Sequence, residues 1–285
     1  MSGIYWLASY PKSGNTWMRA FLANLQQDGE RPVSINDIGV GDIASRRSTL
    51  DAVLGFDTAD LTLEEIERLR PDVYDWCDGE TGVRYCKIHD AYTRGPDGRP
   101  LVGTGSTRGA VYIVRNPLDV VSSAAQHWNL GRDATIARMA DPDAALARHA
   151  AARGGLQVFQ RMLSWSGHVL SWVDAPGLAC LPVRYEDMLA QPLETFTRVA
   201  GFLGMPADAG RVAKAVRFSS FEVLAGQEAE SGFRERPAHA ERFFREGRSG
   251  GWRDRLDPGQ VARILADHGA VMRRFGYLDE AGEPV

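Results

Sequence analysis

With 285 residues and ordinary hydrophobic and charged fractions, the chain is long enough for one large α/β domain, the organisation expected here, or at most two. A formal net charge of -4 gives no sign of general nucleic-acid affinity, so any anion site must be local. The cysteines, Cys77, Cys86 and Cys180, are odd in number and lack metal-ligand spacing, and no apolar run is long enough to span a bilayer. With a start that carries no signal-like stretch, these features predict a cytoplasmic protein with reduced thiols and no membrane partner.

Ile4 to Ser9 reads as a strand and Trp17 to Leu25 as an amphipathic helix with Met18, Leu22 and Leu25 on one face. Between them, Tyr10-Pro11-Lys12-Ser13-Gly14-Asn15-Thr16-Trp17 is a strand-to-helix junction. Such a junction aims backbone N–H groups and the positive end of a helix dipole at one point, where a phosphate or sulfate would sit. Lys12 adds a charge, Ser13 and Thr16 add hydroxyl donors, and Gly14 permits a close backbone approach. The pattern is not a Walker loop, because the lysine precedes the glycine. Taken alone it reads equally well as an ordinary turn with a surface lysine.

From Gln26 to about Asp60 the chain is polar and irregular, a surface excursion. Thr62 and Glu65 have capping-box spacing, and Leu63, Ile66, Leu69 and Val73 predict a helix interrupted at Pro71. Val83 to Asp90 reads as a strand with a charged end, and alternation puts Lys87 and His89 on one face. Ligands in open parallel sheets bind at carboxyl ends of strands, so both residues suit a site there. An imidazole can act as a general base, although a lone His reads as readily as a strand-end hydrogen bond. Gly109 to Val114 is a third strand, and Asn116 and Pro117 open a helix to Trp128. Arg115, Ser123 and His127 could grip a second anion, or could be a surface Arg and a self-bonded Ser.

Asp143 to His149 and Gln157 to Val173 read as helices, Leu178 to Val183 as a strand, and Leu193 to Leu203 as a helix stopped by Gly204 and Pro206. Gly226 to Gly251 is Arg-rich and bracketed by glycines, with Phe233, Phe243 and Phe244 interspersed, as in a mobile lid. Asp257 and Pro258 open a last helix.

Several of these segments together resemble the sulfotransferases that use 3'-phosphoadenosine 5'-phosphosulfate (PAPS). Tyr10 to Trp17 resembles their 5'-phosphosulfate loop, commonly Tyr-Pro-Lys-Ser-Gly-Thr-Thr-Trp, with Asn15 replacing the first Thr. Val111 to Ser123 resembles the 3'-phosphate motif, with Arg115 and Ser123 at the phosphate-binding positions. Lys87-Ile88-His89 looks like Lys-Thr-His, whose His is the catalytic base. Arg184 to Met188 is similar to a Tyr-Glu-Asp segment whose Tyr, here Tyr185, contacts adenine. Ser219-Ser220-Phe221 resembles Thr-Ser-Phe, which places Phe221 with Trp17 around the adenine and Ser219 among the nucleotide contacts. Arg245, Gly247 and Gly251-Trp252 match a lid over the 3'-phosphate, with Glu246 replacing a Lys. The family's dimer segment finds no match in Arg253 to Ala262, which leaves the oligomeric state open.

The resemblance implies a single α/β domain, a central parallel sheet flanked by helices with a P-loop-like phosphosulfate loop. It also implies transfer of a sulfuryl group from PAPS to a hydroxyl or amine, leaving 3'-phosphoadenosine 5'-phosphate (PAP). His89 would remove the acceptor proton and face Lys12 across the transferred group. Lys12, with the loop amides and Thr16, would stabilise the leaving group, and Lys87 would steady the sulfuryl oxygens. Ser123 would bond Lys12 before the acceptor arrives. The scheme needs no metal, and the acceptor is a small molecule or glycoconjugate. Two rivals are a nucleotide or metabolite kinase, which should show a Walker Gly-Lys-Ser/Thr, and a non-catalytic adenosine-nucleotide-binding protein, which would not need His89.

Overall fold

The computed structural model describes residues 2–76, 82–95, 97–148 and 154–285. Its sheet is built from β1 (Gly3–Ser9), β2 (Asp42–Ile43), β3 (Val83–Ile88), β4 (Thr107–Val114) and a strand at Cys180–Arg184, in the order β2, β3, β1, β4 and last Cys180–Arg184. β1 pairs with β3 in parallel from Gly3 opposite Val83 to Ala8 opposite Ile88, and β3 pairs in parallel with β2. Ile4, Trp6, Leu7 and Ala8 of β1 and Ala110 to Val114 of β4 are buried, the near-continuous apolar run of strands covered on both faces. Such a core explains why β1 and β4 were legible as apolar runs.

The chain forms two compact units. The first comprises 1–10, 41–112 and 139–182, and the second 11–40, 113–138 and 183–285. In the first unit the stretch expected to be irregular contains α2 (Arg47–Leu54). Leu50 is buried, and polar contacts also hold the helix: Arg47 donates to Gly155 O and Thr58 Oγ1, and Asp51 accepts the Thr58 N–H. α3 (Leu63–Trp76) passes through Pro71 where an interruption was expected. Residues on both sides of the proline are pinned. Arg70 is buried, forms a bidentate pair with Asp90 at 2.8 Å and donates to Tyr74 Oη, while Tyr74 donates to Ala44 O. The expected capping box is present, with Thr62 N donating to Glu65 and Glu65 N to Thr62.

The helices expected at 143–149 and 157–173 are also corrected. Ala145–Leu146 and Gln160–Arg161 form β5 and β6, an antiparallel pair, and the helix begins only at Trp165. Leu163 sits at φ 59° and Ser164 caps the helix through the Gly167 N–H, which sets the start. His149 and Cys77 lie outside the described residues. The sheet's fifth strand, β7, is Cys180–Arg184.

In the second unit, α1 (Asn15–Gln27) buries nearly every residue, not one face alone. Arg19 is buried because its Nε donates to Val40 O and its Nη1 pairs with Glu235 at 2.6 Å. Arg211 donates to the carbonyls of Leu25 and Gln26, satisfying the last turn. α4 (Pro117–Trp128) starts as expected, Asn116 accepting the Leu118 N–H. The last helix, Pro258–Arg274, opens on a full capping box of Asp257 and Gln260. Residues 226–231 of the proposed lid complete the helix Phe221–Ser231, so the irregular part begins at Gly232. Among the described residues, no helix is long and apolar enough to cross a membrane.

Candidate active site

In the second unit the anion loop is shaped by left-handed backbone. Lys12 takes φ 70° and Gly14 φ 109° before α1 begins. Gly14 is the N-cap and supplies no side-chain oxygen, and the first turn carries no acidic residue. The positive end of the helix dipole is thus presented to an external anion. Ser13 is buried and its Oγ has no protein partner. A buried hydroxyl left unpaired costs about 1–3 kcal/mol, a cost that a ligand oxygen would relieve. Asn15 and Thr16 are buried in the same turn.

The glycine has a second reason beyond anion approach. A Cβ at residue 14 would stand 2.7 Å from Cδ2 of Tyr185, whose ring lies on the loop. Tyr185 also meets the Trp17 indole edge-on at 5.8 Å and carries the Arg115 guanidinium 4.2 Å above it. Burial raises the Tyr185 phenol above its ordinary value, with Arg115 opposing. Trp17 further meets Phe196 at 5.6 Å, and its Nε1 has no protein partner. Phe221 packs elsewhere, against Gly247, where a Cβ would come within 2.5 Å of the ring and φ is 57°.

Arg115 ties the loop to the lid. Its Nη1 donates to Lys12 O and its Nη2 to Arg248 O, each at 3.2 Å, while its Nε has no protein partner. Lys12, Ser123, His127, Phe243 and Arg245 line one narrow cleft. The Lys12 ammonium lies 3.8 Å from the Phe243 ring centroid, a cation–π contact. Arg245 is held below the ordinary guanidinium value by partial burial first and then by the positive charge of Arg255, with Arg115 adding and Glu246 opposing. A chain of net charge -4 therefore concentrates cations here.

Ser219 departs from the expected nucleotide contact. Its hydroxyl is fully buried and donates to Ala215 O at 2.9 Å, closing its own helix. Glu246 accepts from Arg248 at 3.0 Å and from Arg255, so this carboxylate stands among cations. Burial pushes its pKa up, but those guanidiniums more than offset this and hold it below the usual carboxylate value.

Three acids escaped sequence reasoning. Asp119, in the first turn of α4, accepts the N–H groups of Gly250 and Trp252 at 2.7 and 3.0 Å. Glu228 accepts those of Phe243 and Phe244 at 2.7 and 2.8 Å. Glu186 accepts the Asn116 N–H and the Tyr277 hydroxyl, and burial raises its pKa. Their partners lie 15 to 133 residues away, and no short motif marks such pairs. The signal available for Asp119 was its place in a helix's first turn.

Lys87 and His89 belong to the first unit. Cys86 and Ile88 are buried, and Lys87 and His89 partly exposed, in the expected alternation. Lys87 lies in β3 opposite Leu7 of β1 and Ile43 of β2. His89 follows the strand, and its Nδ1 lies 2.8 Å from the Ser9 carbonyl oxygen. A carbonyl only accepts, so the ring proton sits on Nδ1 and the lone pair on Nε2, the tautomer a general base requires.

The family model described as the sulfotransferase domain matches residues 108–276, more than half of the chain. The chain belongs to the PAPS-dependent sulfotransferase family. As a sulfotransferase it is 25% identical over 275 residues to cytosolic sulfotransferase 17 of Arabidopsis thaliana, covering 91% of this chain and 71% of that protein. It is 24% identical over 278 residues to the flavonol 3-sulfotransferase of Flaveria bidentis, covering 90% and 78%. Its fold is that of a mouse sulfotransferase, SULT7A1, complexed with PAP, at TM-score 0.60 and 19% identity over 98% of this chain and 86% of that one. Retinol dehydratase in a complex with retinol and PAP aligns at TM-score 0.60 and 18% identity, covering 95% and 81%. The family match begins downstream of Lys12 and His89, whose roles are argued from their own geometry.

Proposed function

We propose that this sulfotransferase moves the sulfuryl group of PAPS in line onto the hydroxyl of a small-molecule acceptor, with His89 as general base. The observation that carries the donor side is the anion loop, with its uncapped helix start and the buried, partnerless Ser13 hydroxyl. Bound there, PAPS supplies an activated sulfuryl group. The amides of residues 14–17, with Ser13, Asn15 and Thr16, would hold its 5' end. Lys12 would stabilise negative charge developing on the leaving oxygen. Arg115, Ser123, Arg245 and Gly247 would hold the 3'-phosphate, while Trp17, Tyr185 and Phe221 would bound the adenine. His89 Nε2 would take the acceptor proton, and Lys87 would steady the sulfuryl oxygens. Ser219 is left out of this set because its hydroxyl is engaged within its helix.

Phe243, Pro237 and Ala240 give the cleft an apolar wall beside its cations. That wall favours flat or apolar alcohols, the class to which the flavonol and retinol named for two similar proteins belong. A cytoplasmic setting is supported by the similarity to cytosolic relatives. The whole chain acting as one domain belongs to the same proposal, since it passes between the units after Tyr10, Val40, Tyr112, Arg138 and Pro182. The test is an acceptor screen with sulfur-labelled PAPS over phenols, aliphatic alcohols, amines, sugars and glycopeptides, with and without chelator. Label transferred to an alcohol or phenol regardless of chelator is expected; transfer only of phosphate from ATP would support a kinase instead.

A further inference from the structure

Immediately after β3, two successive backbone carbonyls are taken by a single helix, α5 (Trp165–Val173). His168 and Trp172 are four residues apart and so share a face. His168 Nε2 lies 3.0 Å from the His89 carbonyl oxygen, and Trp172 Nε1 donates to the Asp90 carbonyl at 2.9 Å. Ser171 Oγ accepts the Tyr92 N–H at 3.0 Å. Behind His168, the Tyr112 hydroxyl lies 2.8 Å from Nδ1, and both side chains are fully buried. The Tyr10 ring stands edge-on to His168 at 5.5 Å, and the Tyr10 N–H bonds the Tyr112 phenol oxygen.

These contacts fix every proton. The His89 carbonyl only accepts, so His168 carries its proton on Nε2, and its Nδ1 accepts from the Tyr112 hydroxyl. The order is Tyr10 N–H to Tyr112 oxygen, Tyr112 O–H to His168 Nδ1, and His168 Nε2–H to the His89 carbonyl. Burial holds the His168 pKa down to about 4, which keeps the ring neutral, as this order needs. A helix that only had to pack would gain more from apolar side chains, since each buried polar group must be desolvated. Here Trp165 and Val169 do pack, and the polar groups of the helix go to the loop that carries His89.

We propose that His168, oriented by Tyr112, is a positioning residue for His89. His168 holds the main chain of residue 89 from the α5 side while Ser9 holds its imidazole from the β1 side. With both in place, the ring keeps its proton on Nδ1 and presents the Nε2 lone pair to the acceptor hydroxyl. This rests on His89 being the base, and it adds what keeps that base in register, since misplacement by about 1 Å can cost on the order of a hundredfold in rate.

The test combines steady-state kinetics of Tyr112→Phe, His168→Leu and His168→Gln, with His89→Ala as reference, and imidazole nitrogen NMR of the unaltered protein. Tyr112→Phe and His168→Leu should lower kcat by roughly tenfold to a hundredfold while KM for PAPS changes by less than about twofold. His168→Gln, whose amide N–H can reach the carbonyl, should recover most of the loss seen in His168→Leu. The NMR spectrum should show His168 protonated on Nε2 and His89 on Nδ1. An inactive His89→Ala beside unaltered kcat in Tyr112→Phe and His168→Leu would overturn the positioning role, as would His168 protonated on Nδ1. An active His89→Ala would instead overturn the base assignment. If the substituted proteins do not fold, the tautomers in the unaltered protein decide.

Discussion

The surroundings of His89 and those of the anion loop are built on opposite plans. Around His89 the polar groups are spent within the protein: its Nδ1 proton goes to Ser9, its carbonyl receives His168, and Asp90 is gripped bidentately by Arg70. Around the loop, donors are held in reserve. The start of α1 has no capping side chain, Ser13 Oγ and Arg115 Nε have no protein partner, and Arg245 sits in the field of other cations. A base must be aimed before substrate arrives, so its region is closed and desolvated. An anion site must keep unpaired donors for the ligand, so its region stays costly until filled.

Lys12→Ala attacks the open plan at the reacting end. It should lower the single-turnover rate of sulfuryl transfer by roughly a hundredfold to a thousandfold, with a much smaller loss of PAP affinity. An affinity defect with an unchanged rate would remove Lys12 from the leaving-group role. Arg70→Leu attacks the closed plan, because it strands the buried Asp90 carboxylate. Stability in urea should drop by about 3–5 kcal/mol; a drop too small to measure would show that the pair is not what holds the 89–90 segment.

Arg115→Ala separates structural from ligand duties at one residue. Loss of a charge-assisted bond should weaken PAP binding by about tenfold to a hundredfold and leave adenosine 5'-phosphate, which lacks the 3'-phosphate, much less affected. Equal affinity of the unaltered protein for both nucleotides would sink the 3'-phosphate assignment. The smallest effect is the pH dependence of stability. Burial lowers His168 from 6.5 to about 4, so between those values the unfolded chain binds more protons than the folded one. Stability should be full above about pH 6.5 and fall as pH drops towards about 4. His168→Gln should flatten part of that slope; His268, also held to about 4 by burial, supplies more of it. A slope unchanged by the substitution would mean that His168 is not buried in its neutral form.

What the sequence made legible follows the range of the interactions. β1 and β4 stood out as apolar runs because a parallel core requires them, β3 stood out by alternation, and Asn116-Pro117 and Asp257-Pro258 marked helix starts through local capping chemistry. The anion loop was legible for the same reason, since its lysine, hydroxyls and glycine are consecutive. Elements held by distant polar contacts were not. α2 depends on Arg47 reaching Gly155, and α3 survives Pro71 because Arg70 meets Asp90. The contacts Trp17 makes with Tyr185 and Phe196, and Phe221 with Gly247, join residues far apart in the chain and were likewise not legible. The tautomer of His89 depends on a carbonyl eighty residues earlier, which no local pattern records.

The most direct measurement is made on His89→Ala, comparing single-turnover transfer of labelled sulfuryl with PAP affinity in the same preparation. With the base removed and the anion loop untouched, the rate should fall by roughly a hundredfold to ten-thousandfold while PAP binds as it does to the unaltered protein. Transfer at a near-normal rate by that variant would contradict the division between a closed base region and an open anion region.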